Sequence, residues 1–199
     1  MVARPRTFDR DDALASALEV FWHQGYEATS VQNLVDATGL NRASLYNTFG
    51  SKHALYVEAL RQYRAEQQDN VLRMLRNTEA PPLQVIRAVL EQVADEAAAC
   101  PKQGSCFLTN AATERGADDT EATREVRTGF RDLEDALASV LARGHDAGTI
   151  RSTTAPEAQA RFLLTTLQGI RVLSKTCPER DVLQDVVDTA LCALTPIAS

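Results

Sequence analysis

Apolar residues recur along this chain at helical intervals and nowhere alternate as a strand would. From Asp9 to Gln24 they fall at Ala13, Leu14, Ala17, Leu18, Phe21 and Trp22, the i, i+3, i+4 rhythm of one helix face. Asp9 suits the cap of that helix and Gly25 its stop. A shorter pattern follows, with Val31, Leu34 and Val35 on its apolar side behind Thr29 or Ser30 as cap, and it halts at Gly39. After Leu40, Asn41 caps another short helix through Phe49 with Leu45 turned inward. Gly50 and Ser51 end it and open a long helix from Lys52 to Asn77 that buries Leu55, Ala59 and Leu60.

Past Asn77 the helices lengthen and their apolar faces widen. The spacing predicts helices over 83–99 (Val85, Ile86, Val89, Leu90, Val93), 106–115, 120–146 (Val126, Phe130, Leu133, Leu137, Val140, Leu141), 156–175 and 180–194. TEAPP at 78–82 and CPKQGS at 100–105 punctuate them with strong turn residues. Pro156 stands in a first turn, where its missing N–H costs nothing. With no internal repeat and no low-complexity run, the fold class predicted is all-α.

Composition narrows the function classes. A chain of 199 residues with 44% hydrophobic and 24% charged residues has the make-up of an ordinary globular protein that can bury a core without staples. The start, MVARPRTFDRDDAL, lacks the apolar run of a signal peptide, and no stretch approaches the roughly 20 apolar residues of a membrane helix; a cytoplasmic location is expected. Cys100, Cys106, Cys177 and Cys192 show no C-x-x-C spacing and have no histidine nearby in sequence, so neither a zinc site nor a cofactor is expected. His23, His53 and His145 stand alone, and neither a Gly-rich phosphate loop nor G-x-S-x-G occurs, which argues against an enzyme. The net charge of −6 would argue against nucleic acid, but its distribution reverses that: Ala37 to Val57 contains no acid and holds Arg42, Lys52 and His53. Phosphate needs a local basic face and not a basic protein.

Gly39 is the informative punctuation, because glycine costs about 1 kcal/mol relative to alanine inside a helix. Two short helices joined by a tight glycine turn, the second polar outside, form a helix-turn-helix pattern. Such a unit lays its second helix in the major groove, where base edges are distinguishable. Arg42 suits guanine, Asn47 adenine, Ala43 a thymine methyl, and Ser44 bonds either way. Thr29, Ser30, Tyr46 and Lys52 are placed for phosphate.

Residues 21–60, FWHQGYEATSVQNLVDATGLNRASLYNTFGSKHALYVEAL, resemble the TetR family of transcriptional regulators. The matching features are Phe21, Gly25 and Tyr26, the T-S-V start, A-T-G-L at the turn, S-L-Y on the second helix, and F-G-S-K followed by L-Y. The resemblance implies a nine-helix, Ω-shaped homodimer: a DNA-binding head over 1–53 and an effector-binding and dimerisation domain over 54–199. It implies base contacts at Arg42, Ala43, Ser44 and Asn47 and backbone contacts at Thr29, Ser30, Tyr46 and Lys52 on a palindromic double-stranded operator. The last two helices pair across the dimer, in keeping with Ala160, Leu163, Leu164, Leu167, Ile170, Leu173, Leu183, Val186, Val187, Ala190 and Leu194, which give more apolar surface than one monomer layer readily covers; the alternative is that they close the monomer's own core.

A regulator of this kind is released by a small-molecule effector or by thiol modification, because only a ligand with unequal affinity for two states shifts their balance. Phe107, Asn110, Phe130, Leu133, Leu164 and Gln168 are the candidate pocket residues, with plain core as the alternative for each. Cys106 starts a short helix after a loop with Lys102, a setting that favours a thiolate, although free cysteine also packs as a small hydrophobe. The runs GSCFLTNAATE and LQGIRVLSK resemble the electrophile-responsive branch of the family, which makes Lys175 a candidate partner of Cys106. Cys100 is a candidate resolving thiol, and Cys177 and Cys192 are expected to be packing.

Overall fold

The structure, a computed structural model, describes residues 9–99, 106–116, 118–177 and 179–195, with backbone alone at 67–69. Among the described residues there are nine α-helices and no strand. They are α1 (Arg10–Gln24), α2 (Val31–Thr38), α3 (Arg42–Phe49), α4 (Lys52–Leu75), α5 (Pro82–Ala99), α6 (Phe107–Arg115), α7 (Thr120–Asp146), α8 (Pro156–Leu173) and α9 (Arg180–Cys192). No helix is long and apolar enough to cross a membrane among these residues.

Side-chain caps fix where the first four helices begin. Asp9 accepts from the Asp11 amide, Ser30 and Asn33 form a reciprocal capping box, Asn41 accepts from Ser44 and Ser51 from Ala54. Each such cap contributes about 1 kcal/mol by satisfying an orphan N–H. Gly39 ends α2 in the left-handed region (φ 68°, ψ 6°), its N–H bonded to the Val35 carbonyl at 3.0 Å. That is the corner the sequence demands.

Two hydrophobic cores result. The head-side core joins Leu14, Leu18 and Phe21 of α1, Leu34 of α2, Leu45 and Phe49 of α3 and Leu55, Tyr56, Leu60 and Tyr63 of α4. It continues without a break into Cys106, Phe107, Leu108 and Ala111 at α6 and Ala122 and Val126 of α7. The distal core unites the far end of α4 with α5, α8, α9 and the second half of α7. Because α4 runs through both, the expected boundary at residue 53 coincides with the start of a helix and not with a gap in packing.

Most of the apolar positions of α8 and α9 serve the subunit's own core. Ala160, Leu163, Leu167, Ile170, Leu183, Val187, Ala190 and Leu194 are all buried within the subunit itself, and Leu164, Leu173 and Val186 are half-buried against the same core. One face of α8 and α9 is consumed in closing the monomer. What these helices leave outside is Phe162, Val172 and Val182, large apolar side chains 45%, 54% and 38% exposed.

Candidate nucleic-acid interface and sensor core

The reading helix is held by its apolar positions and presents the rest. Leu45 and Phe49 are buried, and this rotation leaves Arg42, Ala43, Tyr46 and Asn47 exposed and Ser44 half-exposed on α3. Arg10 of α1 stacks its guanidinium on the Phe49 ring at 5.0 Å and pairs with Glu58 of α4, so the end of α3 is tied to both neighbouring helices. A helix of eight residues is too short to be stable alone. Its orientation therefore comes from these contacts.

Of the four positions expected at phosphate, Ser30 and Tyr46 are exposed, at the start of α2 and on α3. Thr29 departs from the expectation: it is buried, and its hydroxyl donates to the Gly25 carbonyl at 2.6 Å, closing the turn between α1 and α2. A short polar side chain at the end of a glycine turn satisfies the nearest carbonyl first. Lys52 is half-exposed, and its ammonium sits over the Tyr26 ring at 4.3 Å.

Tyr26 is the hub that sequence reasoning missed. Arg115, at the end of α6, approaches its ring at 4.8 Å, so one phenol carries a cation from the start of α4 and a cation from the end of α6. Its neighbours include Phe21, Tyr56 and His53. Burial pushes the Tyr26 phenol up, against the opposing pull of Arg115. His53, expected near DNA, bonds through Nε2 to Asp119 at 2.9 Å. Asp119 is buried and caps α7 through the Ala122 amide. Burial raises its carboxyl, but the Ala122 N–H, His53 and Arg115 together outweigh that and hold it below the usual aspartate range. The one available signal for this hub was the pair of aromatics around Gly25; Arg115 lies about 90 residues away in sequence, beyond the reach of local pattern.

The sensor candidates scatter more than expected. Cys106 is the N-cap residue of α6 and is buried at 4% exposure, lining a cavity of about 20 Å³ with Tyr63, Val71, Val93, Leu108, Leu133, Leu167 and Arg171. That is room for about one water molecule. Burial first, then the adjoining Cys106, pushes the Tyr63 phenol well above its usual range, so it stays a donor. Leu133 is the one other sensor candidate on this cavity wall. Phe107 is core instead, wedged edge-on between the rings of Tyr56 and Tyr63, and Phe130 and Leu164 pack half-buried against the two cores. Gln168 accepts from Thr109 at 2.7 Å, joining α8 to α6, while its Nε2 is buried without a partner.

Lys175 also needs correction. It lies past the end of α8, exposed, and donates to Asn110 Oδ1 at 3.2 Å. Among the described residues, the cation that shares the cavity wall with Cys106 is Arg171, one turn earlier on α8; 175 does not line it. Cys177 is half-buried and Cys192 exposed, so the latter is not packing. Cys100 and Lys102 lie outside the described residues.

Two family models match the chain: "Bacterial regulatory proteins, tetR family" over residues 13–59, and "Tetracyclin repressor-like, C-terminal domain" over residues 82–190. The uncharacterised HTH-type transcriptional regulator YezE of Bacillus subtilis is 32% identical, the match covering 97% of this chain and all of that one. The HTH-type transcriptional repressor ComR of Escherichia coli is 28% identical over 94% of this chain and 90% of its own. Among solved structures, a cysteine mutant of the TetR family regulator CifR, complexed with 26-base-pair double-strand operator DNA, superposes with a TM-score of 0.82 at 31% identity, covering 96% of this chain and 100% of that one. With both of its halves matched and its corner, caps and reading helix in place, the chain belongs to the TetR family of bacterial regulatory proteins, DNA-binding transcriptional regulators and not enzymes.

Proposed function

We propose that the chain is a homodimeric repressor that reads a palindromic operator with α3 and leaves it when the environment of Cys106 changes. The observation that carries this is the division of α3 into a locked face, Leu45 and Phe49, and an outer face of Arg42, Ala43, Ser44, Tyr46 and Asn47. One such helix spans only a few base pairs, and a twofold pair reads a palindrome. Phe162, Val172 and Val182, exposed on α8 and α9, supply apolar area for the second copy. ComR is named a repressor and CifR was solved on operator DNA, which supports the same role here, in the cytoplasm where operators are found.

Arg42, Ala43, Ser44 and Asn47 take the base edges, and Ser30, Tyr46 and Lys52 take phosphates. For the last, the ammonium must swing off Tyr26 toward the backbone or act through its field. Selection of bound duplexes from random DNA tests the reading: a palindrome should emerge, and Arg42→Ala should relax one position in each half.

On the input side, the cavity favours a small reagent over a bulky ligand. Hydrogen peroxide transferring one oxygen to Sγ would give a sulfenic acid and water, placing an added atom where about one water fits. Arg171 and Tyr63 are the groups positioned to stabilise it. Peroxide releasing the operator from wild type but not from Cys106→Ser supports this input. Release of both by a non-covalent ligand would move it elsewhere.

A further inference from the structure

The turn between α1 and α2 is gripped from outside the head. Gly25 stops α1 with φ 79°, which leaves the next two amides, those of Tyr26 and Glu27, beyond the helix. Both donate to a single carboxylate: Tyr26 N to Glu114 Oε2 and Glu27 N to Glu114 Oε1, each at 2.9 Å. The forked geometry reaches across 88 and 87 residues of sequence, from the last turn of α6. Gly25 is needed twice over, because a Cβ there would stand 2.9 Å from both carboxylate oxygens in a backbone conformation that side chains avoid. Arg115 adds a second hold on the same turn, stacked on Tyr26 and paired with Glu27.

We propose that Glu114 is a positioning residue for DNA recognition: its two-amide clamp sets the angle of the reading head and passes the state of Cys106 to it. The clamped turn leads directly into α2 through Thr29, bonded to the Gly25 carbonyl, and Ser30, the cap of α2. At its other end α6 begins at Cys106 in the cavity. Eight residues at 1.5 Å each separate the two ends, about 12 Å of unbroken helix. A shift of α6 at the cavity is therefore delivered to the clamp nearly undiminished. Two charge-assisted bonds with fixed directions do not survive displacements of an ångström. The clamp holds in one α6 position and fails in another, and the head is then free to take other spacings from its twin. The coupling to Cys106 rests on the proposed function above; the clamp itself does not.

The test uses full-length Glu114→Gln and Glu114→Ala, with Glu96→Gln as a charge control on α5, where Glu96 accepts from Gln92 of its own helix. Glutamine keeps the shape but turns an N–H donor toward one amide. Hydrogen exchange of a peptide spanning 25–28 should speed up roughly tenfold or more in both variants and not in the control. Unchanged exchange overturns the clamp. Operator duplexes with half-sites separated by up to about four additional base pairs then report head spacing. The Glu114 variants should lose the sharp optimum of wild type, falling at the best spacing while changing little at the others, and the control should keep it. A loss by one common factor at every spacing would mean mere destabilisation and overturns the positioning role. Peroxide-treated wild type should show the same flattened profile, with peroxide adding nothing to Glu114→Ala; additive effects would sever the link to Cys106. A wild type without any spacing optimum would sink the repressor reading, while the exchange result would still decide the clamp.

Discussion

The two cores of this molecule are built from different materials. The distal core is aliphatic: its buried members among the described residues are valine, leucine, isoleucine and alanine. The head-side core adds rings to its leucines and alanines, with Phe21, Phe49, Tyr56, Tyr63 and Phe107 buried and Trp22, Tyr26 and Phe130 against it. Aliphatic side chains attract without direction, and a core made of them behaves as a solid platform. Rings carry edges, faces and hydroxyls, so their contacts have preferred angles and accept cations. Tyr26, with Lys52 and Arg115 at its ring, shows what this adds: a contact that is sensitive to orientation lies where the head meets α6. The platform suits assembly, and the aromatic core suits transmission.

Mutations of equal cost in the two cores should therefore have unequal effects on function. Phe21→Ala and Leu137→Ala each empty a buried site, at about 3–5 and 2–5 kcal/mol respectively. Denaturant unfolding should register both losses. At temperatures where both variants remain folded, operator affinity should fall for Phe21→Ala and hold for Leu137→Ala; equal falls would erase the distinction between the cores. Next in size, Arg42→Ala should lower discrimination at one base pair per half-site by about 1–3 kcal/mol, while Lys52→Ala weakens all sequences alike and flattens the salt dependence. Binding measured on a panel of single-substituted operators separates the two.

A smaller effect concerns acid. The carboxyl of Asp119 is held below its ordinary value, so the folded state binds its proton less readily than the unfolded chain does. Its contribution to stability is complete above about pH 4, the unfolded aspartate range, and is lost as pH falls through the lower folded value. Asp119→Asn should reduce the acid sensitivity of unfolding in that window, measured as the slope of stability against pH. Smallest is Gly39→Ala: no atom lies within 4 Å of the new Cβ, so only the left-handed backbone resists, at about 1–2 kcal/mol. Gly39→Asn should cost less, as thermal unfolding of the pair would show.

The head was legible in sequence because its signals are local. Asp9, Ser30, Asn41 and Ser51 each sit at the helix start they cap, and Gly39 marks a turn that few other residues can make. Helix order through α9 follows from the 3.6-residue period in the same way. What pattern could not supply was the choice among apolar faces. The leucines and valines of α8 and α9 look the same whether they close a monomer or meet a twin, and only packing shows that most do the former. Thr29 illustrates the same limit at one residue, since a threonine before a helix can face phosphate or turn back to a carbonyl. Contacts such as Glu114 with residues 26 and 27, or Arg171 beside Cys106, join positions far apart in sequence with no shared motif. They exist only once the fold brings α6 between α4, α7 and α8.

In the proposed role this chain reads a palindrome through α3, and Cys106 governs its release. Selection from random duplex DNA, run with reduced protein and after peroxide, with Cys106→Ser in parallel, tests it most directly. A palindrome should be enriched by reduced wild type, lost after peroxide, and kept by Cys106→Ser under both conditions. Enrichment of no sequence by the reduced protein would contradict it.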